Sequence, residues 1–242
     1  MNKELLRGIE SFGYIFKQEY RSEWDKDKLL NDWKYSLKFF FGQSFMRGRK
    51  DSLSIRFRDK TIEVLEKTFF ENLNYPIEKL DIELKKAGVN NEGDRKMVLD
   101  TIRFIKQLQD YNITTYIIKK LKEDEQQAYG DLDNISHVGD KIATLYLREI
   151  CWMFDIKPKD YMLIFPVDRW VKQIINRLKI LDNKQLSPTD LKKIKESEIK
   201  KKAIDICIKN EINPLKFNAG IWYIGTHSLE ILLDNLERLK FL

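Results

Sequence analysis

Lys141, in Ser136-His137-Val138-Gly139-Asp140-Lys141-Ile142-Ala143, and Asp168, in Phe165-Pro166-Val167-Asp168-Arg169-Trp170-Val171, are the residues whose types and spacing point to chemistry. A free amine attacks an electrophilic sugar carbon, and a carboxylate steadies the positive charge that develops, so the pair supports covalent chemistry without a metal. Lys141 follows a turn that contains Gly139. Asp168 precedes apolar residues at helical spacing through Leu178, which predicts that it caps a helix by accepting backbone N–H bonds. Capping and charge stabilisation both use the ionised carboxylate, so the two roles are compatible.

The elements that must position these residues read as helix after helix. Asp27 to Phe45 carries Leu29, Leu30, Trp33, Leu37, Phe40 and Phe41 at spacings of three and four, which predicts one helix with a wide apolar face. Thr61 to Phe70, Ile77 to Ala87, Met97 to Leu108 and Ile113 to Leu121 repeat the pattern, separated by turns at Asn72-Leu73-Asn74-Tyr75-Pro76 and at Gly88 to Gly93. Strand-like alternation is confined to short stretches such as Ser52 to Phe57. Ser187-Pro188-Thr189-Asp190 is a helix start, with Ser as cap and Pro in the first turn. Asn213-Pro214 breaks the chain before Phe217 to Thr226, and a final amphipathic helix is expected through Leu229, Ile231, Leu232, Leu236 and Leu239. The expected fold class is all-α.

With 242 residues and 43% hydrophobic content, the chain has ample material for a core. It contains no run of eighteen or more apolar residues, and its N-terminal residues continue into charge, so a soluble intracellular protein is expected, cytoplasmic or nucleoid-associated and not membrane-bound. A monomer is the simplest assembly. Cys151 and Cys207 lie in apolar helical patterns and read as buried thiols. His137 and His227 lack zinc-site spacing, so neither a metal nor another cofactor is expected.

The net charge of +6 says less than its distribution. Arg47, Arg49, Lys50, Arg56, Arg58 and Lys60 crowd a stretch that contains Gly48, and they read as a basic loop at a helix end that can neutralise phosphates. The second basic group, Lys192 to Lys202, reads as a solvated helix face with its apolar residues turned inward. A turn through His137, Val138 and Gly139 into a new helix offers free backbone N–H groups to a phosphate, and it would anchor DNA without reading sequence.

His137-Val138-Gly139-Asp140-Lys141-Ile142-Ala143 followed by Pro166-Val167-Asp168 resembles the helix-hairpin-helix DNA glycosylase superfamily, whose members carry a catalytic Lys at the hairpin exit and a downstream Asp. Lys141 and Asp168 fall on those two positions. The resemblance implies a bifunctional glycosylase and lyase with two helical subdomains and an active site in the cleft between them. One subdomain would span 27–149 and end in the hairpin; the other would join 1–26 to 150–242. The chain lacks the cysteines of the iron-sulfur branch. The stretch between Lys141 and Asp168 is similar to the archaeal 8-oxoguanine glycosylase type, AGOG. In Phe217-Asn218-Ala219-Gly220-Ile221-Trp222, the likeness implies Trp222 as the residue that stacks on the base and Asn218 as its polar neighbour. Gln43 matches a polar cleft residue of the superfamily. His137, Val138, Gly139, Arg47 and Arg49 would hold the DNA backbone. The chain departs from the pattern where His137 replaces the first hairpin Gly, and where Leu145 stands one turn after Lys141 in place of an aromatic residue.

The expected partner is therefore double-stranded DNA containing a damaged base, flipped out and excised by Schiff-base chemistry at Lys141. Asn218, Gln43 or a backbone carbonyl would accept the N7–H that distinguishes 8-oxoguanine from guanine. Two other readings stand beside this one: a glycosylase for another damaged base, and a noncatalytic hairpin protein that binds DNA. Gln43 can equally be a buried amide satisfied locally, and Trp222 can be simple core.

Overall fold

The structure is a computed structural model that describes residues 3–227 apart from 22, 48, 50 and 183. Thirteen α-helices and one 3-10 turn form the described residues, with no strand among them, so the protein is all-α. The chain divides into two compact units, 24–158 and 1–23 together with 159–242. The final amphipathic helix expected around Leu229 to Leu239 lies outside the described residues.

The unit 24–158 contains α2 (Lys26–Asn31), α3 (Trp33–Ser44), α4 (Asp51–Lys67), α5 (Ile77–Lys86), α6 (Glu92–Ile105), α7 (Ile113–Glu123), α8 (Glu125–Asp133) and α9 (Gly139–Met153). The single helix expected from Asp27 to Phe45 is two helices. Asp32 is the cause: it is extended (φ −122°, ψ 102°) and accepts hydrogen bonds from the Lys34 and Tyr35 N–H groups, so it ends α2 and caps α3. The alternating stretch Ser52 to Phe57 is helical, with Ser54 buried while Leu53 and Ile55 are exposed.

The helix α3 packs on α7 and α9 through Leu37, Phe39, Phe40 and Phe41, all fully buried. Ser36, Thr114 and Tyr146 pair their polar groups within this core. Ser36 Oγ donates to Thr114 Oγ1 at 2.8 Å and accepts the Thr114 N–H at 3.0 Å, while Thr114 Oγ1 lies 3.1 Å from the Tyr146 hydroxyl. Such satisfied pairs fix how the helices meet, because an unpaired hydroxyl here would lose its bonds to water without replacement.

The other unit contains α1 (Lys3–Arg21), the 3-10 turn Tyr161–Ile164, α10 (Arg169–Arg177), α11 (Pro188–Lys193), α12 (Glu196–Lys209) and α13 (Pro214–His227). The helices α1 and α13 pack backbone to backbone: a Cβ on Gly13 would collide with the Lys216 carbonyl, and one on Gly220 with the Ile9 carbonyl. Leu6, Ile9, Ile174, Ile199, Phe217 and Ile221 belong to the core that surrounds this crossing. Ser187 caps α11, with its Oγ accepting from the Asp190 N–H at 3.2 Å. The basic stretch Lys192 to Lys202 spans two helices and is mostly exposed. Lys200 is the exception: it is buried, and its Nζ donates to the Met162 carbonyl at 3.3 Å. A lysine stem covers apolar surface while its ammonium reaches a carbonyl, which is why a charge count alone misplaced this side chain.

Candidate functional site

The turn between α8 and α9 runs through Asn134 to Val138. His137 (φ 63°) and Gly139 (φ 59°) both adopt the left-handed conformation, on either side of buried Val138. A side chain at 137 pays for that conformation where glycine would not. The His137 ring rests against Gly93, where a Cβ would lie 3.1 Å from Nδ1. Gly139 faces open space, and nothing stands within 4 Å of where its Cβ would be. The exposed start of α9 is therefore accessible. Behind it the Tyr129 hydroxyl donates to Asp140 at 3.0 Å, and burial together with the Asp140 charge pushes the phenol well above its usual range.

Lys141 lies in the first turn of α9, half-buried, and its Nζ donates to the Met46 carbonyl at 3.2 Å. Met46 belongs to the segment that leaves α3, where its N–H donates to the Gln43 carbonyl at 3.1 Å. Gln43 itself is 4% exposed at the end of α3.

Arg47 and Arg49 of the same segment turn inward to Asp94, which is fully buried in the first turn of α6. Arg49 Nη1 donates to Asp94 Oδ2 at 2.5 Å, and Arg47 Nη1 lies 3.4 Å from Oδ1. Arg47 Nη2 also donates to the His137 carbonyl at 2.7 Å. Burial pushes the Arg47 guanidinium below its ordinary value and neighbouring Arg49 adds to the fall, while Asp94 opposes it. Arg47 thus ties the hairpin to α6, and Arg49 shares the same carboxylate. Lys50 and Gly48 lie outside the described residues.

Asp168 caps α10: its Oδ1 accepts the Trp170 and Val171 N–H groups at 2.9 and 3.0 Å. The residue is half-buried, and both cap bonds fall on Oδ1. Asn218 is buried in α13 and donates from Nδ2 to the Pro166 carbonyl at 3.0 Å, two residues before the cap. Trp222, one helical turn along α13, is half-buried with T-shaped contacts to Phe16 at 5.4 Å and Tyr20 at 5.5 Å.

No family model, curated protein or solved structure matches this chain. Lys141, Gln43, His137, Val138, Gly139, Arg47 and Arg49 gather in the unit 24–158, while Asp168, Asn218 and Trp222 belong to the other unit. Asp94, Phe16 and Tyr20 were not foreseen. An acidic residue in a helix's first turn ordinarily reads as a complement to the helix dipole, so only its burial against two arginines marks Asp94 out. Leu145, half-buried, stands where a stacking aromatic was sought. Among the described residues no group of three or more His, Cys, Asp or Glu is arranged to hold a metal, and no helix is long and apolar enough to cross a membrane.

Proposed function

We propose that the protein is a DNA glycosylase and AP lyase that removes 8-oxoguanine from double-stranded DNA inside the cell, working as a helix-hairpin-helix enzyme of two helical subdomains. The observation that carries this reading is the α8–α9 turn. Its two left-handed residues flank Val138, its outer face is open at Gly139, and a half-buried lysine follows in the first turn of the new helix. Backbone N–H groups at such a helix start take a phosphate oxygen, which holds a duplex without regard to sequence.

In this reading the damaged nucleotide is flipped out of the stack, and Trp222 offers the flat surface against which the base rests. The Lys141 amine leaves the Met46 carbonyl and attacks C1′; the N-glycosidic bond breaks, and the departing base takes up a proton. The Asp168 carboxylate stabilises the cationic sugar, and through Oδ1 it stays oriented by the α10 cap. The C1′–O4′ bond then opens, O4′ leaving as a hydroxyl with a proton, to give the Schiff base, and loss of a proton from its C2′ expels the 3′ phosphate. Gln43 or Asn218 would supply the acceptor for the oxidised base.

The decisive experiment uses end-labelled duplex with one 8-oxoguanine, with and without borohydride, comparing wild type with Lys141→Gln. A trapped adduct and strand cleavage, both lost in the variant, are expected. Base release from a different lesion in a panel would move the assignment to another damaged base.

A second reading has its own observation. The Lys141 amine is engaged by a main-chain carbonyl, as a purely structural lysine would be. Duplex binding without adduct or base release on any lesion would make the protein a noncatalytic hairpin module.

A further inference from the structure

A buried carboxylate distant in sequence connects the hairpin to the lysine. Asp94 sits in the first turn of α6 with no solvent exposure, its N–H capped by Asn91 Oδ1 at 2.9 Å. It receives Arg49 directly and holds Arg47 alongside. Met46, Arg47 and Arg49, close together in sequence, serve both halves of the candidate site. On one side Arg47 Nη2 grips the His137 carbonyl, at a residue whose ring also rests on Gly93, next to Asp94. On the other side, the Met46 carbonyl accepts the Lys141 amine. Arg49 is further held by Ser54 Oγ at 3.1 Å and by the Phe57 ring, 5.0 Å from its guanidinium, so Arg49 is braced against α4 as well.

We propose that Asp94 is a positioning residue that places the Lys141 amine and the hairpin together, through Arg47, Arg49 and neighbouring Met46. The inference rests on the reading of Lys141 as nucleophile, and it adds a residue that touches neither DNA nor the reacting atoms. A carboxylate is required because a neutral amide cannot hold two guanidiniums, and burial raises the cost of leaving either unpaired. When Arg47 and Met46 loosen, both the acceptor that orients the amine and the bond that shapes the hairpin are lost. Binding and chemistry should then fall together.

The test compares wild type, Asp94→Asn and Arg47→Lys, the last keeping the charge but losing the fork that reaches carboxylate and carbonyl at once. Competitive acetylation with acetic anhydride, read by mass spectrometry without DNA, reports the freedom of each amine. Lys141 labelling should rise about three- to tenfold relative to exposed Lys122, the scale of one net hydrogen bond. With 8-oxoguanine duplex at saturation, borohydride trapping should slow about 10- to 100-fold, as expected for a misplaced reacting group, and duplex affinity should weaken in parallel. Arg47→Lys supplies the answer if Asp94→Asn does not fold. Unchanged Lys141 labelling in a folded variant, or weakened affinity with an unaltered saturating rate, would overturn the proposal. Wild type that forms no adduct with any lesion or abasic duplex would sink the glycosylase reading instead, and the labelling would still decide whether Asp94 positions the amine.

Discussion

Asn218 Nδ2 donates to the Pro166 carbonyl at 3.0 Å, which fastens α13 to the segment that delivers Asp168 to its cap. The bond is buried, so neither group has water as an alternative partner. It makes the position of Asp168 depend on a residue fifty-two positions beyond Pro166 in the chain.

Replacing Asn218 by Leu should therefore do more than remove a candidate base contact. An orphaned buried carbonyl costs about 1–3 kcal/mol, and urea unfolding should register that loss. If Asn218 served only to contact a base, stability would remain at the wild-type value.

Asp168→Asn separates the two roles of the carboxylate. Asn accepts the same N–H bonds from Trp170 and Val171, so stability should change by less than about 1 kcal/mol. The charge is gone, and trapping of the sugar adduct should fall about 10²- to 10³-fold, as when a preorganised electrostatic partner is removed. Equal losses of stability and rate would reduce Asp168 to a cap.

His137 tests the hairpin itself. Its left-handed φ of 63° is natural for glycine and hostile to a β-branched side chain. His137→Gly should fold and keep duplex affinity, whereas His137→Val should lose stability by about 1–2 kcal/mol from backbone strain and weaken binding. Salt titration of duplex affinity for both variants gives the comparison; a Val variant that binds as well as the Gly variant would mean that this backbone shape does not matter for DNA.

Alkaline pH should unfold the protein for an identifiable reason. Burial pushes the Cys151 thiol up to about 12 from its ordinary 9.0, with Glu125 adding to the shift, and burial raises Cys207 in the same direction, helped by Glu10. The folded state then holds protons that the unfolded chain releases. This contribution is fully present below the unfolded value near 9.0 and is lost as pH climbs toward about 12. The slope for one thiol is about 1.4 kcal/mol per pH unit. Urea midpoints at pH 8, 9 and 10 should decline, and Cys151→Ala, though less stable at neutral pH, should decline less steeply. Parallel slopes would assign the alkaline loss to other groups, such as Tyr116, whose phenol burial and Asp131 push up to about 12.

The helical class, and the caps at Asp168 and Ser187, were legible in the amino-acid sequence because both depend on residues two to four apart. Apolar spacing defines a face, and a short side-chain oxygen reaches the N–H groups just beyond it. Asp32 followed the same local rule but was hidden inside a longer apolar pattern, so one expected helix became two. Lys141, Asp168 and the His137-to-Gly139 turn could be chosen as candidates from residue type and order. Their partners could not. The inward turn of Arg47 and Arg49 depends on Asp94, forty-five positions beyond Arg49, and the acceptor for Lys141 lies ninety-five positions away at Met46. The burial of Lys200 depends on a carbonyl at Met162. Such pairings are decided by how helices pack, since a buried charge or amide takes whichever complementary group the tertiary structure brings within reach.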